Sequence, residues 1–427
     1  MKVTVIGLGK IGLPLAVQFA LKGQEVVGLD VNNLTVQKIN SGEEPFPGEK
    51  DLEKNLLEAL KIGNFYATTD AKESLQSAEV ILVCIPLILN NSFEPDFESI
   101  DLVVKNIAKY IQPGTLISFE TTLPVGTTRN RFTKIIEDGS SLKVGVDFFV
   151  VFSPERVFTG RFFSDLSNYP KLVGGVTNIC ASKGIDFYKL VLDFQHRSDL
   201  KLPNGVWDLQ TCENAEFAKI AETTYRDVNI GLANEFAVFA RMKNIDINSV
   251  IEASNSQPYS HIHEPGISVG GHCIPVYPYF YMYSNPDSSI VKSARLRNES
   301  MPSYVIQEIK SSLGSLEGLN IGVFGLSYRP GVKEMAYSGS VALLKILKKE
   351  GAKVFGIDPL YENREIASLG FDPIEDFREL EGVIIHTAHK EFQEINFNEF
   401  EKLKFIFDGR KLISKETIGE QIVFMSF

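Results

Sequence analysis

The sequence predicts an α/β chain with two parallel-sheet halves and one long helix between them. Three observations predict it. Residues 2–6 alternate into a glycine turn and a helix, and residues 320–327 repeat that opening later in the chain. Short apolar runs alternate with helical patterns, as parallel strands and their crossovers require. From Glu213 to Lys243 apolar residues recur at helical spacing, with no proline and one glycine, Gly231.

A chain of 427 residues has room for two or three domains. Lys and Arg number 43 against 54 Asp and Glu, a net charge of −11. That balance argues against nucleic-acid binding, which needs a basic surface, and leaves an anionic ligand to local basic clusters. The opening Met1-Lys-Val-Thr-Val-Ile is a strand, not a leader with a basic head and an apolar core. The longest apolar run, Val80 to Leu89, contains Pro86 and is too short to span a bilayer. No membrane partner and a cytoplasmic location are therefore expected. Cys84, Cys180, Cys212 and Cys273 show no metal-ligand spacing, so free thiols and no metal site are expected.

The first strand runs into Gly7-Leu-Gly9-Lys10-Ile11-Gly12, and Leu13 to Lys22 reads as the helix it opens. Gln24 to Asp30 is the next strand and ends on an acid. GxGxxG alone is weak evidence; after a strand, before a helix and with that acid it is a dinucleotide fingerprint. The glycines let backbone N–H groups and the helix N-terminus meet a pyrophosphate. Asp30 is the candidate acceptor for the ribose hydroxyls, and its charge repels a 2′-phosphate, so NAD is expected rather than NADP. Val80 to Ile85 and Thr115 to Phe119 read as buried strands, Ile100 to Ile111 and Val125 to Ile136 as helices. The loops 120–128 and 152–160 follow strands, where open α/β sheets take ligands. Thr122 and Glu155 are thus site candidates, against the plainer readings of a capping hydroxyl and a solvated carboxylate.

Lys219 lies one turn from Glu216, Glu222 and Thr223 on the long helix, where an exposed lysine in ion pairs is the usual outcome. The stretch Gly266-Ile-Ser-Val-Gly270-Gly271-His-Cys273-Ile-Pro275 sets one thiol on a glycine loop. A cysteine so placed can be presented to a ligand, whereas one in an apolar run is usually filler. In the last third, residues 320–327 and Ala352 to Asp358 parallel the first two strands, which makes a second Rossmann-like half. Its first turn lacks GxGxxG, so no second dinucleotide is expected there. Arg329, Lys333 and Arg410 lie at turn positions and are candidates for a nucleotide's phosphates, with solvated surface charge as the alternative. Domain seams read near Val191–Pro203 and Asn298–Met301.

The blocks Gly7 to Ala16, Glu120 to Thr128, Ser153-Pro-Glu-Arg156, Lys171 to Gly175, Lys219 to Asn229, Gly270 to Pro275, Asn298 to Pro302 and Asp408-Gly-Arg410 occur in one order. In this the chain resembles the UDP-glucose/GDP-mannose dehydrogenase family over essentially its full length. The His-Cys-Ile-Pro form is most similar to the branch acting on UDP-N-acetylhexosamines. The resemblance implies two Rossmann-like domains joined by a long central helix: residues 1–200 for NAD, 201–300 central, and 301–427 for the nucleotide sugar. It implies oxidation of C6 of a nucleotide-activated sugar to the uronate with two NAD, in polysaccharide biosynthesis, by a homodimer formed through the long helix.

It implies roles as well. Cys273 attacks the aldehyde to give a thiohemiacetal and then a thioester, Lys219 stabilises the oxyanion, Thr122 positions water and Glu155 handles its proton. Gly7, Gly9, Lys10, Ile11, Gly12, Asp30 and Thr122 hold the cofactor. Glu155, Arg156, Lys219, Gly270, Gly271, Arg329 and Arg410 hold the substrate. Four places depart from the family pattern: Thr223 stands for Asn, Tyr277 for Asp, Leu87-Ile88 for Thr-Pro, and Ala336-Tyr337 for Arg-Glu. Two alternatives stay open beside full oxidation: arrest at the aldehyde, and a non-catalytic binding paralogue.

Overall fold

The computed structural model describes residues 1–46 and 48–427. The chain divides into two units, Met1–Glu222 with Tyr279–Ser284 and Thr223–Pro278 with Asn285–Phe427. The fold is α/β, and each unit is Rossmann-like.

In the first unit the strands are β1 (Lys2–Ile6), β2 (Glu25–Leu29), β3 (Phe65–Thr68), β4 (Val80–Val83), a hairpin of β5 (Ile88–Leu89) and β6 (Pro95–Asp96), β7 (Leu116–Phe119), β8 (Phe149–Phe152), β9 (Lys171–Gly175) and β10 (Val206–Thr211). Eight of them form one sheet in the order β10-β9-β8-β7-β4-β1-β2-β3. Its pairs are parallel except β8 with β9. The central strands read VILV, LISF and FVVF and are buried throughout, because helices cover both faces of a parallel sheet. β1 pairs with β2 on one side and β4 on the other, in register at Val3 with Val26 and Val80. Strand order reverses there, and such a switch point opens a crevice at the carboxyl ends.

One expected helix differs. Residues 125–136 begin as a loop, form wide turns over Thr128–Thr133, and become α-helical only at Lys134–Ser140. The Thr133 hydroxyl donates to the Thr128 carbonyl at 2.8 Å, five residues back, which fits the wider winding.

In the second unit β11 (Asn320–Phe324), β12 (Lys353–Ile357), β13 (Gly382–Ile385), β14 (Phe405–Asp408) and β15 (Val423–Ser426) form a parallel sheet in the order β12-β11-β13-β14-β15. Alternate residues face opposite cores. Val323 and Phe405 pack with Leu343 and Leu347, whereas Phe324 and Ile406 pack with Phe392 and Phe397. Each such side chain taken from water contributes about 1.5–3 kcal/mol.

The helix Cys212–Met242 has 31 residues, so at ~1.5 Å per residue it is about 46 Å long. A second helix, Ser289–Leu313, runs through residues 298–301 with Pro302 inside it. Among the described residues no helix is long and apolar enough to cross a membrane.

Candidate active site

The glycine turn after β1 explains each of its glycines differently. Gly7 has φ +87°, a conformation that favours glycine. A Cβ on Gly12 would lie 1.9 Å from the Gly7 carbonyl oxygen, so the helix can start this close to the strand only without a side chain. A Cβ on Gly9 would meet nothing within 4 Å. That open space, at the mouth of the helix Gly12–Leu21, is where a pyrophosphate would approach. Gly9 and Ile11 are half-exposed and Lys10 is exposed. Asp30 accepts the N–H of Leu8 at 2.8 Å and that of Asn32 at 2.9 Å, which fixes its carboxylate at the carboxyl end of β2. The residues present fit NAD.

Beyond β7 and β8 lies a buried charge cluster. Lys171, the first residue of β9, places Nζ 2.6 Å from Glu120 Oε2 and pairs also with Glu155 Oε1. The Ser118 hydroxyl donates to Glu120 Oε1 at 3.0 Å, and the Tyr188 hydroxyl donates to the same oxygen. Burial pushes the Glu120 carboxyl up to about 7 against the pull of Lys171. Burial works against the Lys171 ammonium too, but its two carboxylates outweigh it and its pKa lies above the usual lysine value. Glu155 is thus a buried carboxylate held by a cation, not a solvated one.

Thr122 is buried on the loop after β7. That loop is tied to the long helix by Glu216, whose carboxylate accepts the N–H of Gly126 at 2.6 Å and of Thr128 at 2.8 Å. Arg156 ties the next loop to the same helix through Glu222 at 2.9 Å, so one of its donors is engaged by protein. Lys219 lies between Glu216 and Glu222 and is 7% exposed, which rules out the exposed ion-paired lysine. Within the first unit the loops that carry Thr122 and Arg156 are thus each tied, through Glu216 and Glu222, to the helix that carries Lys219.

In the second unit Cys273 is half-exposed, and its carbonyl accepts the N–H groups of Val276 and Tyr277 at 3.1 and 2.9 Å. The glycines before it serve packing. A Cβ on Gly270 would lie 2.4 Å from Tyr328 Cβ, and Gly271, at φ +97°, faces the Tyr328 ring. Gly271 N donates to the Ala336 carbonyl at 2.8 Å, and His272 faces Glu334 at 3.2 Å. Both glycines thus allow close contact with Tyr328. Thr223 is fully buried, and Tyr277 is half-buried.

The basic candidates separate. Lys333 is engaged by Glu365 at 2.6 Å. Arg329 is half-buried beside the ring of Tyr328. Arg410 donates through Nε to the His386 carbonyl at 2.8 Å, and burial pulls its guanidinium below the usual arginine value. It lines a cleft of about 770 Å³ with Ile251, His263, Glu264, Asp408 and Phe427. Asp408 holds the turn by accepting the N–H groups of Arg410 and Ile413 at 2.9 and 2.7 Å. At the second unit's counterpart of Asp30, Asp358 accepts the N–H groups of Leu326, Ser327 and Leu360 and lies 3.3 Å from His389.

Sequence reasoning assigned no role to Lys171, Glu120 or Glu216. The available signal was a charge opening the strand Lys171–Gly175, all of whose residues are buried. Such a charge needs a partner. Among the described residues no group of three or more His, Cys, Asp or Glu could hold a metal ion.

Models of the UDP-glucose/GDP-mannose dehydrogenase family match along the chain. The NAD binding domain matches residues 1–192, the central domain 213–300 and the UDP binding domain 322–415. The UDP-N-acetyl-D-mannosamine dehydrogenase of Pyrococcus horikoshii is 33% identical over 98% of this chain and 97% of its own. That of Campylobacter jejuni is 30% identical over 92% of this chain and 97% of its own. A solved structure of UDP-D-ManNAc dehydrogenase from Pyrococcus horikoshii superposes with a TM-score of 0.88 at 30% identity, covering 100% of this chain and 99% of that one. Nothing in these matches favours arrest at the aldehyde or a non-catalytic paralogue.

Proposed function

The chain belongs to the UDP-glucose/GDP-mannose dehydrogenase family and is an NAD-dependent nucleotide-sugar dehydrogenase, and we propose that it oxidises C6 of UDP-N-acetylmannosamine to the uronate. The observation that carries the choice of sugar is the run of relatives named UDP-N-acetyl-D-mannosamine dehydrogenase at 28–33% identity over most of their length.

When bound, NAD would supply the hydride acceptor, one molecule for the C6 alcohol and a second for the captured aldehyde. The work of the chain lies around those transfers. The Cys273 sulfur adds to the aldehyde carbon, forming the C–S bond of a thiohemiacetal; loss of hydride leaves a thioester. Lys219 holds the negative oxygen in each tetrahedral species. Thr122 positions a water, Glu155 takes its proton as it attacks, and the C–S bond breaks to release carboxylate and thiol. The turn Gly7–Gly12 and Asp30 bind the dinucleotide. Arg410 and Arg329 bind the nucleotide half of the substrate, and the cleft lined by Arg410 supports this, being roomy enough for a nucleoside.

The three-part division at residues 1–200, 201–300 and 301–427 belongs to this proposal, supported by the spans of the family models. So do a cytoplasmic location and a homodimer. The dimer is supported by Tyr225, Leu232, Phe236 and Phe239, which stay exposed on the long helix.

The test is incubation of the enzyme with NAD and, separately, UDP-N-acetylmannosamine, UDP-N-acetylglucosamine and UDP-glucose. Two NADH per sugar from the first alone is expected, with uronate formation lost in Cys273→Ala. Turnover confined to UDP-glucose would overturn the choice of sugar, and full uronate formation by Cys273→Ala the choice of nucleophile.

A further inference from the structure

Two stretches that resemble the family have no role so far: Asp227 in the long helix, and Asn298 to Pro302. In the second unit they meet. Asp227 and Asn234 lie seven residues apart on one helix, Arg295 and Asn298 three apart on the other, and the helices nearly touch. Between Asp227 and Asn234 stands Gly231, where a Cβ would lie 2.9 Å from Ala294 Cβ. Only glycine permits this approach.

The approach closes a buried polar relay between the two helices. Arg295 Nη1 donates to Asp227 Oδ1 at 2.5 Å. Asn298 Nδ2 donates to the same oxygen at 2.8 Å and to the Asp227 carbonyl at 2.9 Å. Asn234 Nδ2 donates to Asn298 Oδ1 at 2.8 Å. All four residues are at most 3% exposed. Stability alone does not call for such a relay, because buried ion pairs are often no better than apolar packing.

Its two ends show what it does. Asn234 Oδ1 accepts the N–H of Gly266 at 2.9 Å, the first residue of the cysteine loop. Arg295 Nη1 also reaches the carbonyl of Ile274 at 3.5 Å, directly after Cys273. One rigid chain of hydrogen bonds thus grips the loop at its entry and just past its thiol.

We propose that Asp227, Arg295, Asn298 and Asn234 are positioning residues that clamp the loop 266–275 and set where the Cys273 sulfur stands. The inference rests on Cys273 being the nucleophile. A misplaced sulfur captures the aldehyde late, so the damage falls on the second oxidation rather than on substrate binding. A displacement of about 1 Å can cost on the order of 100-fold in rate.

The test uses the full-length enzyme with NAD and UDP-N-acetylmannosamine, and hydroxylamine to trap released aldehyde. Asp227→Asn keeps the shape and removes the charge facing Arg295; Asn234→Ala removes the grip on Gly266 and leaves the ion pair. Expected in both is a fall in uronate formation on the order of 100-fold with KM little changed. NADH per sugar should drop from two towards one, with trapped aldehyde making up the difference. Two NADH per sugar and no trapped aldehyde in both variants would overturn the proposal whatever happened to kcat, since a merely structural role slows both oxidations alike. If Asp227→Asn does not fold, Asn234→Ala decides. Cys273→Ala is run beside them: if it forms uronate normally, the nucleophile reading fails; if it is dead while the relay variants match wild type, this inference alone falls.

Discussion

Asp30 accepts the backbone N–H of Leu8 at 2.8 Å, so the acid after β2 helps to hold the glycine turn after β1. Its other oxygen accepts from Asn32 at 2.9 Å. The carboxylate thus arrives at the ribose already oriented, and removing it should loosen the cofactor site selectively. Asp30→Ala is expected to raise KM for NAD on the order of 10- to 100-fold, the loss of one or two charge-assisted hydrogen bonds. KM for the sugar nucleotide should barely move. Steady-state kinetics with each substrate varied in turn check this; equal loss for both would remove Asp30 from the cofactor site.

Two glycines three residues apart, Gly9 and Gly12, give a sharper test. Alanine at Gly9 meets nothing within 4 Å, whereas alanine at Gly12 lands 1.9 Å from the Gly7 carbonyl. Gly9→Ala should leave the melting temperature unchanged and weaken NAD. Gly12→Ala should unfold the first unit or lower its melting temperature by several degrees. Calorimetry with and without NAD separates the two; a stable Gly12→Ala would contradict the close strand-to-helix approach.

Much of this was legible because it is local. The buried strands VILV and FVVF are unbroken apolar runs, and LISF is interrupted only by Ser118. The turn Gly7–Gly12, Asp30 and the cysteine loop each fall within one short segment. Lys171 did not declare itself, because its partners Glu120 and Glu155 lie 51 and 16 residues away and reach it only through the sheet order β9-β8-β7. The packing of Gly270 against Tyr328 was not legible either, because no local pattern links residues 58 positions apart. Arg295 and Asn298 look like a polar helix surface until the helix that covers them is known.

His386 predicts an acid-sensitive fold. Its Nδ1 lies 2.9 Å from the Gly325 carbonyl and its Nε2 3.0 Å from the Ser268 hydroxyl, so the neutral ring donates to the first and accepts from the second. Burial, with help from the Arg410 charge, pulls its pKa down to about 3 from an ordinary 6.5. The folded state therefore refuses a proton that the unfolded chain takes. The contribution of His386 is fully present above pH 6.5 and is lost as pH falls from there towards 3, by up to about 1.4 kcal/mol per pH unit. Urea midpoints at pH 7.5 and pH 5 should show that fall, and His386→Asn should flatten it. An unchanged slope in the variant would assign the acid sensitivity to other groups.

Lys171 makes the strongest claim on both stability and chemistry. It is the cation between Glu120 and Glu155, and all three are buried. Lys171→Met keeps most of the volume and leaves two carboxylates facing each other without it. Breaking a buried pair in this way costs about 3–5 kcal/mol. At roughly 2–4 °C per kcal/mol for a unit of this size, the melting temperature should fall by about 10 °C. Adding Glu120→Gln removes one of the stranded charges, so the double variant should regain part of that loss. It should not regain thioester hydrolysis, because Glu155 has still lost the cation that orients it. Calorimetry reads the first effect, and accumulation of covalently bound sugar on Cys273, by intact mass, reads the second. Recovery of both in the double variant would mean that Lys171 serves only to neutralise Glu120, and Glu155 would need another partner.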